Sequence, residues 1–231
     1  MDGNGRWAAK RGWLRVRGHR QGSEVVRMVI TTCASLGMPF LTLYAFSSEN
    51  WKRPQNEIDF LMSLLDEFLQ RELPTLQQNN VRMQAIGRLQ RLPPAVQARL
   101  QATIDATAHN TGLRVYLALS YGGRDELVDA CRVLAERISS GAMCAADIDA
   151  AAVQGALYAP ETPDVDLVLR TAGEFRLSNF LPWQSVYAEF IGLQPLWPDL
   201  SKEDFLAALA CFSNRERRFG GLASTCGPAP A

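Results

Sequence analysis

Four clusters of polar and charged residues could carry chemistry in this chain of 231 residues. The first is Asp2-Gly3-Asn4-Gly5-Arg6. It opens a segment in which Arg6, Lys10, Arg11, Arg15, Arg17, Arg20 and Arg27 face only Asp2 and Glu24. Backbone N–H groups of a Gly-rich turn and the forked guanidinium of arginine suit a diphosphate. A solvated basic arm would have the same composition. Asp2 is the acid nearest those cations. It suits a Mg²⁺ shared with substrate oxygens, or simply an ion pair with Arg6. The second cluster, Ser47-Ser48-Glu49-Asn50-Trp51-Lys52-Arg53, follows an apolar run at Leu41–Phe46. Loops after strands are where α/β proteins bind ligands. Its hydroxyls, amide and Arg53 could hold an anion, with Trp51 either an apolar wall or core. The third is Arg170 followed by Arg176-Leu177-Ser178, again suited to phosphate. Glu189 lies beyond it in an apolar run, where a carboxylate needs a cation, either a metal or an arginine. The fourth, Asn214 to Gly221, is basic and sits at the end of a helix. Complementing the helix dipole is its simplest role.

Other chemistries are excluded. No G-x-x-x-x-G-K-[ST] motif is present. His19 and His109 are the only histidines, so no Ser-His-Asp or Cys-His set competes. The five cysteines form no C-x-x-C pair, which disfavours zinc and predicts a reduced, cytosolic setting. Lys plus Arg equals Asp plus Glu at 24 each, so nothing steers the whole chain towards nucleic acid or an anionic lipid surface. The opening residues lack the apolar h-region of a signal peptide.

Strand-length runs at Leu41–Phe46, Val81–Ile86, Leu113–Ser120, Val165–Arg170 and Glu189–Leu193 must position these clusters. They alternate with helix-period segments at about 20–36, 57–79, 93–110, 124–140 and 201–217. Another short helix is expected in the Ala-rich stretch Ala145–Ala156. That order predicts an α/β fold with a mostly parallel central sheet flanked by helices. One domain over 1–221 and a frayed, disordered tail over 222–231 are expected. The uncharged stretch Met28–Ser48 reads as a helix end, a turn and a buried strand, because Gly37 and Pro39 interrupt it. The helix from Glu57 has a broad apolar face, Ile58, Leu61, Leu65, Phe68, Leu69, Leu73 and Leu76, with Phe60 and Leu64 partly off it. It suits a lipid tunnel or a fully buried helix. A functional loop at Asp2–Arg6 also calls for a strand leading into it. The expectation is that this strand lies upstream of Met1, and that without it the Asp2 loop is poorly anchored and the fold marginal.

Met1-Asp2-Gly3-Asn4-Gly5-Arg6-Trp7 resembles the opening motif of cis-prenyltransferases of the undecaprenyl diphosphate synthase type. So do Leu41 to Trp51, Tyr121 to Arg124, Arg170 to Glu174 with Arg176 to Asn179, Leu196 to Asp199, and Asn214 to Gly221. The resemblance implies a parallel-sheet homodimer with a hydrophobic tunnel. It implies Mg²⁺-dependent addition of isopentenyl diphosphate to an allylic diphosphate such as farnesyl diphosphate, yielding a long polyprenyl diphosphate for cell-wall synthesis. It gives Asp2 the role of Mg²⁺ carboxylate and Glu189 that of a second metal position. Gly3, Asn4, Gly5, Arg6, Arg15 and His19 would cradle the allylic diphosphate, with Trp7 beside them. Ser47, Ser48, Glu49, Trp51 and Arg53 would shape the region between substrates, and Asn50 would orient reacting groups. Arg170, Arg176, Leu177 and Ser178 would bind isopentenyl diphosphate. Arg218-Phe219-Gly220 would complete the site across the dimer. No nucleic acid partner is implied, and membrane contact would be peripheral, at the inner face. A non-catalytic partner subunit of the same fold is the alternative, against which Asp2, Arg6 and His19 speak. The chain departs from the family pattern with Ala172 in place of a frequent Gly, and with Phe175 where many members have a polar or histidine side chain.

Overall fold

The computed structural model describes residues 1–215. Helices α1 (Asn4–Ala9) and α2 (Arg15–Ser35) lead into β1 (Phe40–Ser47), a 3₁₀ turn (Ser48–Lys52) and α3 (Gln55–Gln78). β2 (Arg82–Ile86), α4 (Pro94–Thr107), β3 (Arg114–Tyr121), α5 (Gly123–Ser139) and the short α6 (Ala150–Gln154) follow. β4 (Leu167–Arg170), β5 (Glu189–Gly192) and α7 (Lys202–Ser213) complete the described elements. Each predicted run is present, with ends shifted by a few residues. α1 is the addition: residues expected as a loop form one and a half turns of helix from Gly3. The stretch Met28–Ser48 divides as the punctuation suggests, with α2 ending at Ser35 and β1 beginning at Phe40. Among the described residues no helix is long and apolar enough to cross a membrane.

Among the described residues all strand pairs are parallel, as expected, and they fall into two hydrogen-bonded groups, β1-β3-β2 and β4-β5. β3 is the central strand of the larger piece, and from Val115 to Tyr121 every residue is buried. A parallel strand covered on both faces reads as such an unbroken apolar run. β1 and β4 each use one edge only for pairing. Both line a cavity of about 990 Å³ with consecutive residues, Met38–Ser47 and Pro163–Thr171. Successive strand side chains point to opposite faces, so an uninterrupted lining means the cavity runs along the two edges rather than over one face.

The Asp2 loop itself is well anchored, contrary to expectation. The Asp2 N–H donates to Thr171 Oγ1 (3.2 Å), and its carbonyl accepts from Thr171 Oγ1 (3.1 Å) and from the Trp197 N–H (2.9 Å). α1 then lies directly on α2, because a Cβ at Gly18 would stand 1.9 Å from the Asn4 carbonyl oxygen. Gly18→Ala should therefore push the two helices apart and lower stability by about 1–3 kcal/mol. Gly155→Ala, whose Cβ meets nothing closer than 3.3 Å, should be nearly neutral. Chemical denaturation of both variants checks this.

α2 and α3 are also joined by charge. Glu72, only 2% exposed, accepts from Arg27 Nε and Nη2 (2.6 Å each) and from Arg71 Nε (2.9 Å). Burial pushes its carboxyl up, but the bonds from Arg27 and Arg71 outweigh that and hold it below the usual carboxylate range. A carboxyl depressed by folding stabilises above its unfolded pKa, and the stability is lost as pH falls through the folded value. Glu72→Gln should cost roughly 1.5–3 kcal/mol at neutral pH. It should also flatten the acid limb of the stability curve, as read by denaturation at several pH values.

Candidate active site

The ends of β1 and β4, α1, and the starts of α2 and α3 converge on the mouth of the cavity. Arg170 ends β4 with its side chain 12% exposed. Its Nε donates to Asp2 Oδ2 (2.7 Å), and its Nη1 donates to Ser178 Oγ (2.8 Å) and to the Arg176 carbonyl. Arg176 pairs with Glu174 at 2.5 Å, and the other oxygen of Glu174 accepts from Arg6 at 3.1 Å. One carboxylate thus links the first and third sequence clusters. The loop that holds them is strained. Ala172, Ser178, Asn179 and Leu181 all have positive φ, between 48° and 70°. Non-glycine residues in that region cluster at functional sites. The backbone at position 172 is left-handed, and Ala172 adopts it at a cost of roughly 1–2 kcal/mol.

A second charged node lies on the helix side. Glu57, in the first turn of α3, places Oε1 at 3.0 Å from Arg53 Nη1, 3.7 Å from Arg15 Nε and 3.9 Å from His19 Nε2. Burial, with Arg53 adding to it, lowers the His19 pKa to about 4 despite the opposing carboxylate. His19 is therefore neutral at physiological pH, and its Nε2 is buried without a hydrogen-bond partner. Arg15 lies against Gly5, where a Cβ would meet its guanidinium at 3.0 Å. Asn4 Oδ1 is likewise buried and unpartnered, with Gly22 leaving room for it.

The 3₁₀ turn after β1 is a capped unit. Asn50 Oδ1 accepts the Ser47 N–H (3.0 Å), and the Ser47 hydroxyl accepts from the Asn50 backbone in return. The Asn50 side chain is thereby fixed on the cavity wall. Burial raises the Glu49 carboxyl, but the bond from Asn179 (2.9 Å), further bonds from the backbone and Ser47, and the Lys52 charge together outweigh it and leave the carboxyl low, hence ionised. Ser48 nests against Gly122, which a side chain would clash with. Trp51 is core rather than free wall. Its Nε1 donates to Ser120 Oγ (2.9 Å), and its ring meets Phe46 edge-on at 4.9 Å. Trp7 is a buried residue of α1, its Nε1 donating to Asp199 Oδ1 at 2.5 Å.

Behind the mouth the cavity is walled by Val26, Val29 and Cys33 of α2, by Leu61, Leu64, Leu65 and Phe68 of α3, and by Leu117 and Leu119 of β3. The two readings of α3 are both met on different residues: Leu69 and Leu76 are core, while Leu61, Leu64 and Leu65 face open space. Cys33, deep in this wall, has its thiol pushed up to about 11 by burial.

Glu189 does not join Asp2. It starts β5 opposite Leu167, whereas Asp2 touches Thr171 beyond the other end of β4, roughly 13 Å away at strand rise. Its carboxylate pairs instead with Arg215, and among the described residues no three His, Cys, Asp or Glu side chains gather to hold a metal. Asp2 pairs with Arg170 rather than Arg6. Phe175 is 69% exposed and lies across Gly192 and Phe190, away from the arginine forks. Arg218-Phe219-Gly220 lies outside the described residues. Sequence reasoning missed Glu57 and Thr171. Glu57 stands four residues after Arg53 at the start of a helix, and that spacing was the available signal.

The family model described as "Putative undecaprenyl diphosphate synthase" matches residues 1–220. An isoprenyl transferase of Clostridium perfringens is 46% identical over 222 residues, covering 96% of this chain and 88% of the relative. That of Rhizobium meliloti is 46% identical, covering 96% and 90%. Among solved structures, lavandulyl diphosphate synthase from Lavandula x intermedia, in complex with dimethylallyl diphosphate, superposes with a TM-score of 0.92. It is 36% identical, and the match covers 95% of each chain. A probable undecaprenyl diphosphate synthase from Campylobacter jejuni gives 0.77 at 40% identity, covering 87% of this chain and 92% of that one. The chain belongs to the undecaprenyl diphosphate synthase family of prenyltransferases.

Proposed function

We propose that this chain is a cis-prenyltransferase that adds isopentenyl diphosphate units to an allylic diphosphate, with farnesyl diphosphate as starter and undecaprenyl diphosphate, a lipid-carrier precursor for cell-wall synthesis, as product. The observation that carries the reading is one cavity of about 990 Å³ whose depth is apolar and whose mouth gathers arginines. A polyprenyl diphosphate has that division of polarity. The α-side node, Arg15, His19 and Arg53 with the first turn of α1 and Arg6, would hold the allylic diphosphate. The β4 node, Arg170, Arg176 and Ser178, would hold isopentenyl diphosphate. Ser47, Ser48 and Glu49 stand between them.

The residues present fit Mg²⁺ at Asp2. Its carboxylate is 38% exposed at the mouth and has one oxygen on Arg170. A single carboxylate plus substrate oxygens is an ordinary Mg²⁺ environment. Bound there, Mg²⁺ would neutralise charge on the departing diphosphate. Arginine forks stabilise the same charge, and the apolar walls keep water from an allylic cation. The Asn50 amide is a poor base and already accepts from Ser47, so it orients while a diphosphate oxygen takes the proton. We further infer a homodimer in which Arg218-Phe219-Gly220, outside the described residues, would complete the site across the subunits, with Glu189 as a second metal position. The setting would be cytoplasmic with peripheral membrane contact, and residues 1–221 would form one domain.

Incubation with labelled isopentenyl diphosphate, farnesyl diphosphate and Mg²⁺, followed by product sizing, tests the reading; no chain elongation would refute it. Asp2→Ala should lower turnover by roughly 10²–10³-fold without unfolding the protein, and near-normal turnover at saturating Mg²⁺ would remove Asp2 from the metal site. Arg170→Ala and Arg176→Ala should each raise KM for isopentenyl diphosphate about tenfold or more, with a smaller effect for farnesyl diphosphate. Equal effects on both would reverse the assignment of the two anion sites.

A further inference from the structure

Between Asp2 and Glu24 the chain carries Arg6, Lys10, Arg11, Arg15, Arg17 and Arg20 and no acid. Four of these have carboxylate partners from elsewhere in the fold: Glu174 for Arg6, Asp199 for Arg11, Glu57 for Arg15 and Glu67 for Arg20. Lys10 and Arg17 are exposed and have no ion pair among the described residues. They flank the turn between α1 and α2, where two large apolar side chains project. Trp13 is 43% exposed and Leu14 78%.

That projection is built rather than loose. Gly12 takes φ +68° to make the turn. The Trp13 N–H is tied to the Ala8 carbonyl at 2.9 Å. The Trp13 ring meets Trp7 edge-on at 5.5 Å and carries the Arg17 guanidinium 5.1 Å from its centroid. An indole and a leucine held outward between unpaired cations match a bilayer surface. Tryptophan prefers the headgroup level, and Lys and Arg are drawn to anionic headgroups. We propose that the Gly12–Leu14 turn, with Lys10 and Arg17, docks the protein on an anionic phospholipid bilayer. His19 lies little more than one helical turn further along α2 and lines the cavity mouth. Docking through the turn would therefore hold the mouth near the lipid. The surface stands on its own charges and exposure, whatever reaction the cavity performs.

Co-sedimentation with vesicles tests this without any isoprenoid present. The protein should bind vesicles of phosphatidylcholine mixed with phosphatidylglycerol, not phosphatidylcholine alone, and added salt should release it. Leu14→Glu and Arg17→Glu should each weaken the partition about tenfold while melting as the parent does. If Leu14→Glu fails to fold, Arg17→Glu alone decides. Brominated acyl chains should quench part of the tryptophan emission, and Trp13→Phe should abolish that part. Equal binding to both vesicle types, no binding, or parent-like binding by a folded variant would overturn the proposal.

Discussion

Like charges cannot be gathered at one end of a sheet unless something holds them there. That constraint shapes the mouth of this molecule. Arg170 rests on Asp2, Arg6 and Arg176 share Glu174, and Arg15 and Arg53 share Glu57. Each carboxylate reaches across from a different element, so the same pairs that restrain the cations also knit α1, α2, α3 and β4 together. Partly exposed pairs of this kind contribute little to stability individually, about 0–1 kcal/mol. Their larger effect is geometric. They set guanidinium groups a few ångströms apart before any ligand arrives, which lowers the ordering needed to bind one.

The backbone serves the same end. Gly18 and Gly22 let α1 lie on α2, and that contact carries Asn4 and Gly5 to the site. Thr171 and Trp197 then fix Asp2 from the far end of the chain. The first charged cluster in sequence is thus held mainly by residues about 170 or more positions away, and the site exists only once the whole fold has closed.

Much of this was legible in advance. Unbroken apolar runs marked β1, β3 and β4, because both faces of a parallel sheet are covered. Clusters directly after strands marked the site, because that is where chain reversal leaves polar side chains free. α1 was missed because Gly-Asn-Gly-Arg has neither apolar periodicity nor a strong cap; tertiary contact with α2, not propensity, makes it helical. The partnership of Asp2 with Arg170 rather than Arg6 was also out of reach, since it depends on how β4 is placed against the N-terminus. For Glu189 the residue type left a metal or an arginine open; its pairing with Arg215 depends on how the end of the chain is placed against β5, which no local pattern encodes. The division of the sheet into two pieces follows from which edges find partners, and no local pattern encodes that.

The left-handed residues between β4 and β5 have a consequence for how this molecule can change. Ala172, Ser178, Asn179 and Leu181 each sit where glycine would be more comfortable. Substitutions that relax them would raise thermal stability, and the same relaxation would loosen the hold on Ser178 and the Arg176 carbonyl. Selection for robustness and selection for the proposed diphosphate recognition would therefore pull in opposite directions at this loop, a local instance of the trade-off between stability and activity.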